Sequence, residues 1–383
     1  MTRFLNVNVF LDPQSGGGTA ERTRQLSRAI AAAGARTTVL CLDIGLTPER
    51  LQPPGAVRVI ALPCLQRRFL IPRVNWSAML RLVGEADVIQ LTSHWTALNA
   101  LVYAAARRLG KPWIVCPAGA LPVFGRSALL KRLYNGTVGR RIIAEAAGWV
   151  AITSAERAQF GAYGVAEERV QVIPNGVRMD EFAQRDVGAF RARHGLGTAP
   201  FILFVGRLSP IKGPDILLDA FGRIARALQH SHLVFAGPDE GMRPELERQA
   251  RSAGIAERVH FTGYLEGTEK SSAYHAAELV AVPSRLEAMS IVALEAGACS
   301  KPVVLTDTCG FGEIQDAGGG RVVGVNADAM AVALEEMLRD RSMCMQMGRR
   351  LRDLVEARYT WSASAQRYTA LFDALRGVSR CAS

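Results

Sequence analysis

Phe201-Ile202-Leu203-Phe204-Val205-Gly206-Arg207-Leu208-Ser209-Pro210-Ile211-Lys212-Gly213 is the segment on which the fold turns. An apolar run ends on a glycine, a turn carrying two cations follows, and Pro214–Leu228 then spaces its apolar residues as a helix does. A short unbroken apolar run between turn residues suits a strand covered on both faces. Strand, turn and helix in that order make one unit of a parallel α/β sheet. The rhythm continues in both directions. Leu233–Ala236, Val259–Thr262, Leu279–Val282 and Val303–Thr306 read as strands on the C-terminal side. On the N-terminal side come Phe4–Leu11, alternating around Asn6 and Asn8, then Thr37–Leu42, Val57–Leu62, Asp87–Leu91, Trp113–Cys116 and Trp149–Ile152. Between the first two, a polar loop Asp12–Thr19 leads into a helix with Leu26, Ala29, Ile30 and Ala33 on one face and Gly34 as its stop.

A chain of 383 residues has room for two domains. The turn Pro174-Asn175-Gly176 and the polar stretch Asp180–Gly197 put the junction near residue 183. The expected architecture is two Rossmann-like, doubly wound α/β domains facing a central cleft, 1–182 and 183–361. The helical pattern Ser362–Leu375, within the tail 362–383, returns to the first domain.

Hydrophobic residues at 49% and charged residues at 21% predict a packed core rather than disorder. No apolar run reaches the roughly 18 residues of a membrane span. Met1-Thr2-Arg3-Phe4 runs straight into a strand with no secretory pattern, so the expected location is cytoplasmic. Seven cysteines, an odd number without a CxxC pair, oppose a disulfide framework and a zinc site. The formal charge of +11 favours anionic partners. Nucleic acid falls away among these, because no recognition motif is present.

Three segments carry chemistry. In the first, Gly206, Arg207 and Lys212 follow a strand, where ligands of open α/β sheets bind. Arg207 and Lys212 can converge on a diphosphate and neutralise the charge of a departing nucleoside diphosphate. The plainer alternative is a solvated basic loop. In the second, Arg285–Gly297, Ser290 can cap a helix and leave the N–H groups near Met289, Ser290 and Ile291 for phosphate or sugar oxygens. Glu295 then suits a ribose hydroxyl pair and Glu287 the hydroxyls of a sugar; the plainer alternative is two surface glutamates. In the third, Asp12–Thr19 holds Gly16, Gly17 and Gly18, which permit close backbone approach or simply make a turn. It is neither GxGxxG nor a Walker motif, so a dinucleotide oxidoreductase is a poor fit.

These segments, in this order, resemble retaining glycosyltransferase family 4, of the GT-B fold. The resemblance covers nearly the whole chain and extends to Val172–Val177, Phe235–Asp239 and Val259–Leu265. It implies that Arg207 and Lys212 bind the donor diphosphate and Glu295 the ribose. Glu287, with the Met289–Ile291 backbone, would hold the transferred sugar. Gly263, Tyr264 and Leu265 would lie beside the base, and Gly17 and Gly18 would approach from the other domain. It also implies a retained anomeric configuration and no metal or other cofactor, in keeping with the lack of an Asp-x-Asp or His/Cys cluster. The donor would be a UDP- or GDP-sugar. The acceptor would be a saccharide or a lipid-linked molecule, in the synthesis of lipopolysaccharide, capsule or exopolysaccharide.

Two departures bear on the acceptor side. Ala118 stands where many relatives carry His, and His94 is displaced from a second usual position, where it can substitute or simply pack beside Trp95. A catalytically impaired sugar-nucleotide-binding or scaffold protein is therefore the alternative. Phe124–Arg141 and Arg67–Arg73 mix basic and apolar residues, as in a peripheral contact with an anionic membrane; the plainer alternative is an ordinary helix packed on a sheet with a solvated basic face.

Overall fold

The computed structural model of the protein describes residues 1–47, 57–122 and 128–381, with side chains to residue 375. The chain divides into two units, Met1–Asn175 with Trp361–Ser383, and Gly176–Thr360.

The first unit is built on β1 (Arg3–Val7), β2 (Arg36–Leu42), β3 (Val57–Leu62), β4 (Cys64–Gln66), β5 (Ile71–Pro72), β6 (Val88–Thr92), β7 (Trp113–Cys116), β8 (Gly148–Ala151) and β9 (Val170–Val172). Seven of them form one parallel sheet in the order β3-β2-β1-β6-β7-β8-β9, while β4 and β5 make a separate antiparallel pair. The second unit has a parallel six-stranded sheet in the order β12-β11-β10-β13-β14-β15. Its strands are β10 (Phe201–Val205), β11 (His232–Ala236), β12 (Val259–Gly263), β13 (Leu279–Val282), β14 (Val303–Thr306) and β15 (Gly320–Val323). Both sheets wind outward from a central strand and then return to its other side, which is the doubly wound pattern. The strand order reverses between β1 and β6, and again between β10 and β13.

Local chemistry explains where the sequence reading shifts. Asp12–Thr19 is not a loop: the helix Pro13–Ala32 starts at once, with proline at its first position and Asp12 accepting from Ser15 N at 3.0 Å. Gly17, at φ 58°, interrupts the helix. Strand β1 stops at Val7, and Asn6 and Asn8 lie buried facing this helix. Asn6 Nδ2 donates to Ser27 Oγ at 2.9 Å, and Asn8 Nδ2 donates to Thr23 Oγ1 at 2.9 Å. Strands β9 and β15 are short and only partly buried, too weak an apolar signal for the sequence to announce.

The division at Asn175/Gly176 falls before residue 183, for a packing reason. Phe182 is buried against Tyr274, edge-on at 5.7 Å, and Asp186 N donates to Ser272 Oγ at 2.7 Å. The polar stretch thus belongs to the second unit.

Arg22 ties the first unit together. It is 1% exposed and lies on Pro13–Ala32. Its guanidinium donates to Ile173 O at 3.0 Å, Pro174 O at 3.0 Å and Asn175 Oδ1 at 2.9 Å, and reaches Tyr368 Oη at 3.3 Å. One side chain therefore holds the segment that leaves the unit and the helix Trp361–Cys381 that re-enters it. That helix also packs Phe372 on Phe4, with ring centroids 4.8 Å apart. Arg22→Met takes the donor from the buried Ile173 O, while Pro174 O keeps Ser364 Oγ, a loss of roughly 1–3 kcal/mol for each unmet partner. Denaturant unfolding should show a destabilisation of at least that size, and an unchanged midpoint would contradict the role.

Candidate functional site

Parallel strands deliver their following loops to one edge of the sheet, so the loops after β10, β11, β12 and β13 share the carboxyl edge of the second unit. Two close backbone approaches set their spacing. A Cβ on Gly237 would stand 1.9 Å from Gly206 O, and one on Gly213, at φ 66°, would stand 2.1 Å from Pro283 O. Only glycine fits at either place. Arg285 then staples the two loops. Its N–H donates to Ile211 O at 2.8 Å, and its guanidinium donates to Pro210 O at 2.6 Å and to both Asp215 oxygens.

This brings Lys212 Nζ to 3.1 Å from Glu287 Oε1. The other oxygen of Glu287 accepts from Ser284 Oγ at 3.0 Å, and Glu287 N donates to Thr308 O at 3.2 Å. Arg207 faces Glu240 instead, with Nη1 at 2.5 Å from Oε1. The two cations of the loop therefore neutralise two different carboxylates, and Glu240 is a participant that sequence reasoning missed. The Arg207–Glu240 pair, 33% and 42% exposed, contributes about 0–1 kcal/mol, and a more highly charged phosphate group can exchange for the carboxylate at either cation. Ser209 Oγ, buried in the same loop, has no hydrogen-bond partner among the described residues.

Glu295 differs from Glu287 in its burial, being only 5% exposed on the helix Ile291–Ala298. Tyr274 Oη donates to its Oε2 at 2.6 Å, and Lys270 Nζ pairs with its Oε1. Burial, then the charge of Glu295, push the Tyr274 phenol well above its ordinary range, so it stays a donor. Neither Lys270 nor Tyr274 was singled out from the sequence, since nothing in the Glu287/Glu295 spacing points to a helix upstream. Ser290 caps the Ile291 helix, accepting from Ala293 N at 3.2 Å, and Met289 and Ile291 are buried beside it. Gly263, at φ 76°, accepts from Gly237 N at 2.8 Å; the following Tyr264 is partly exposed and Leu265 buried. Gly206 N donates to Ala236 O at 2.9 Å.

In the first unit, Gly17 and Gly18 lie in the opening turns of Pro13–Ala32. His94 is packed, 2% exposed, in an aromatic box of Trp95, Tyr134 and Tyr163 at centroid distances of 4.5, 5.6 and 5.6 Å. Its Nε2 meets Asn135 Oδ1 at 3.1 Å. Burial pushes its pKa down to about 4 against the help of Asn135, so the ring is neutral. The sequence also missed Glu156, which is buried and accepts from Gly119 N at 2.5 Å and Ile152 N at 2.7 Å, beside Ala118 at φ 51°.

On this unit's surface, the helix Ala128–Tyr134 exposes Leu129, Leu130 and Leu133 on either side of Lys131 and Arg132 and buries no residue. The β4–β5 ribbon exposes Leu65, Phe69 and Ile71, with Arg68 over the Phe69 ring at 5.6 Å. Phe124 and Arg126, part of the same basic-apolar stretch, lie outside the described residues. Among the described residues, no helix is long and apolar enough to cross a membrane, and no group of three or more His, Cys, Asp or Glu could hold a metal ion.

Comparison with known proteins follows this geometry. Residues 186–353 match the family described as glycosyl transferases group 1, and residues 17–176 match the glycosyl transferase 4-like domain. A D-inositol 3-phosphate glycosyltransferase of Nocardia farcinica is 35% identical over 240 residues, 59% of this chain and 52% of the relative. The chain thus spans about half the length of that curated relative. A GDP-mannose-dependent alpha-(1-6)-phosphatidylinositol monomannoside mannosyltransferase of Mycolicibacterium smegmatis is 30% identical over 311 residues, covering 78% of this chain and 80% of the relative. The crystal structure of Anabaena HepE in complex with UDP and glucose shares the fold, with a TM-score of 0.81 at 19% identity, over 97% of this chain and 100% of that one.

The His94 box has a pH signature. In the unfolded chain the imidazole takes its proton near 6.5, in the folded one only near 4. Its contribution is therefore complete above about pH 6.5 and is lost as pH falls towards 4, roughly 3 kcal/mol in all. The stability of His94→Phe should fall less steeply across that window in urea titrations. An identical slope would show that the ring is not held neutral.

Proposed function

The chain belongs to the glycosyl transferases group 1, and from that premise we propose that it moves a sugar from a nucleoside-diphosphate sugar to a saccharide or lipid-linked acceptor. The observation that carries this reading is the carboxyl edge of the second unit. There, Arg207 and Lys212 sit on exchangeable carboxylate partners beside a buried, doubly held Glu295. The diphosphate takes the two cations, and Glu295 accepts from the ribose hydroxyls. Ser290 and the N–H groups around Met289 and Ile291 meet sugar or phosphate oxygens, with Gly206 keeping the backbone close. Gly263, Tyr264 and Leu265 flank the base, and Gly17 and Gly18 serve the acceptor side. The donor is a UDP- or GDP-sugar. UDP and glucose occupy the Anabaena protein, and the Mycolicibacterium relative depends on GDP-mannose.

For the chemical step we favour retention by attack on the face from which the diphosphate leaves. The C1–phosphate oxygen bond breaks as the acceptor oxygen bonds to C1, and the departing phosphate takes the hydroxyl proton. Glu287 still accepts from Ser284 Oγ after Lys212 has turned to the diphosphate, which suits a hydroxyl-positioning group better than a free nucleophile. The protein's part is then electrostatic and positional, and needs no metal. His94, neutral and enclosed, supports this route as packing rather than as a base. One observation favours the alternative of a non-catalytic sugar-nucleotide binder: Ala118, at φ 51°, offers no titratable group.

A biological setting in cell-surface polysaccharide synthesis fits a protein working at the inner face of a membrane. The exposed leucines of Ala128–Tyr134 among cations suit the headgroup region of an anionic bilayer.

Thermal-shift assays with UDP, GDP and their sugars test the donor site, since a ligand at about 100 times its Kd adds roughly 2.7 kcal/mol of stability. Glu295→Ala and Lys212→Ala should each lose most of the shift; full retention in both overturns the assignment. Binding with neither hydrolysis nor transfer to any lipid extract would favour the non-catalytic reading. In flotation with phosphatidylglycerol vesicles at low salt the protein should rise with the lipid, and a Leu129→Ser/Leu133→Ser variant should stay down. No flotation of the wild type removes the membrane contact.

A further inference from the structure

Glu295 poses a problem that its proposed role does not solve. A carboxylate 5% exposed gives up most of its hydration, and the charged form persists only if protein groups replace the water.

Two groups replace the water, both from the helix Gly267–Ala276. Lys270 and Tyr274 are four residues apart, hence on one helix face, and each takes a different oxygen of Glu295. Tyr274 is fully buried and donates a neutral hydrogen bond. Lys270 supplies charge, and among the described residues it makes the one ion pair to Glu295. Its ammonium is held in place, with Nζ over the Phe182 ring at 5.9 Å, while Phe182 lies edge-on to Tyr274.

We infer that Lys270 is a positioning residue for donor binding: it fixes Glu295 as an ionised acceptor, both oxygens turned to accept from the two ribose hydroxyls. The inference rests on the reading of Glu295 as the ribose anchor and adds a residue outside the 287–295 segment. Each oxygen already held by Lys270 or Tyr274 keeps lone-pair capacity for one ribose hydroxyl. Other titratable groups face this corner. His275 lies on the Lys270 helix, Glu287 in the preceding loop with Lys212 as its partner, and Cys299 at the end of the Glu295 helix. Arg185 and Lys301 act at longer range, as does Arg352, whose guanidinium donates to Ala298 O at 2.8 Å.

Calorimetric titration of the full chain with UDP and GDP at one fixed pH tests the role. Lys270→Met should bind both about tenfold or more weakly than the wild type. Lys270→Arg should restore the wild-type Kd. Inorganic pyrophosphate, which needs only Arg207 and Lys212, should bind Lys270→Met and wild type alike. Three results overturn the inference: a wild-type Kd for Lys270→Met, equal loss of pyrophosphate, or no rescue by arginine. The underlying reading fails separately if the wild type binds neither nucleotide, or if Glu295→Gln binds as the wild type does. A Glu295→Gln loss with an unaffected Lys270→Met sinks the inference alone.

Discussion

Strand β10 pairs in parallel with β11 on one side and β13 on the other, and every feature of the candidate site depends on that pairing. Parallel strands must send their exits to the same edge. The winding reverses beside β10, so the exits of β10 and β13 become neighbours although about 80 residues of chain separate them. Gly213 against Pro283, and Arg285 against Ile211 and Asp215, close the remaining distance. Without that adjacency Lys212 and Glu287 would have no reason to meet.

The cluster at this edge sorts into two kinds of charge. Arg207, Lys212, Glu240 and Glu287 are partly exposed, and their mutual attraction is weak enough to exchange. Glu295 is buried and held from two sides, so it is a fixed feature to which a ligand must conform. Exchangeable cations suit a group that arrives and departs with its charge. A fixed carboxylate suits the neutral hydroxyls that set the register of that group. The division lies in the carboxylates, whose side chains are 7% exposed for Glu295, 15% for Glu287 and 42% for Glu240, whereas Lys212 and Lys270 are almost equally exposed.

The first unit follows the same topological rule with different contents. Its reversal lies between β1 and β6, and the nearby positions hold Gly17, the neutral His94 box and the strained Ala118. Glu156 spends its carboxylate on the backbone of Gly119 and Ile152 rather than on solvent. Among the described residues Asp12, Glu156 and Arg22 are the buried charges of this unit, and Arg22 is committed to the two chain segments that link the unit to the rest of the protein.

The order and type of the main strands were legible in the sequence, because a strand covered on both faces needs an unbroken apolar run and a turn after it. The loop after Val205 and the 287–295 segment were legible for the same local reason. Strands β9 and β15 were not, since short edge strands need little burial. Nor was the helical start at Pro13, where three glycines outweighed the capping signal of Asp12 and proline. What only the tertiary structure decided is partnership: Arg207 with Glu240, Arg285 with Asp215, Lys270 and Tyr274 with Glu295, and His94 shut among aromatic rings. Periodicity fixes which way a residue faces along its own element. Which charge it meets depends on strands brought together across the sheet, and that distance has no trace in local sequence.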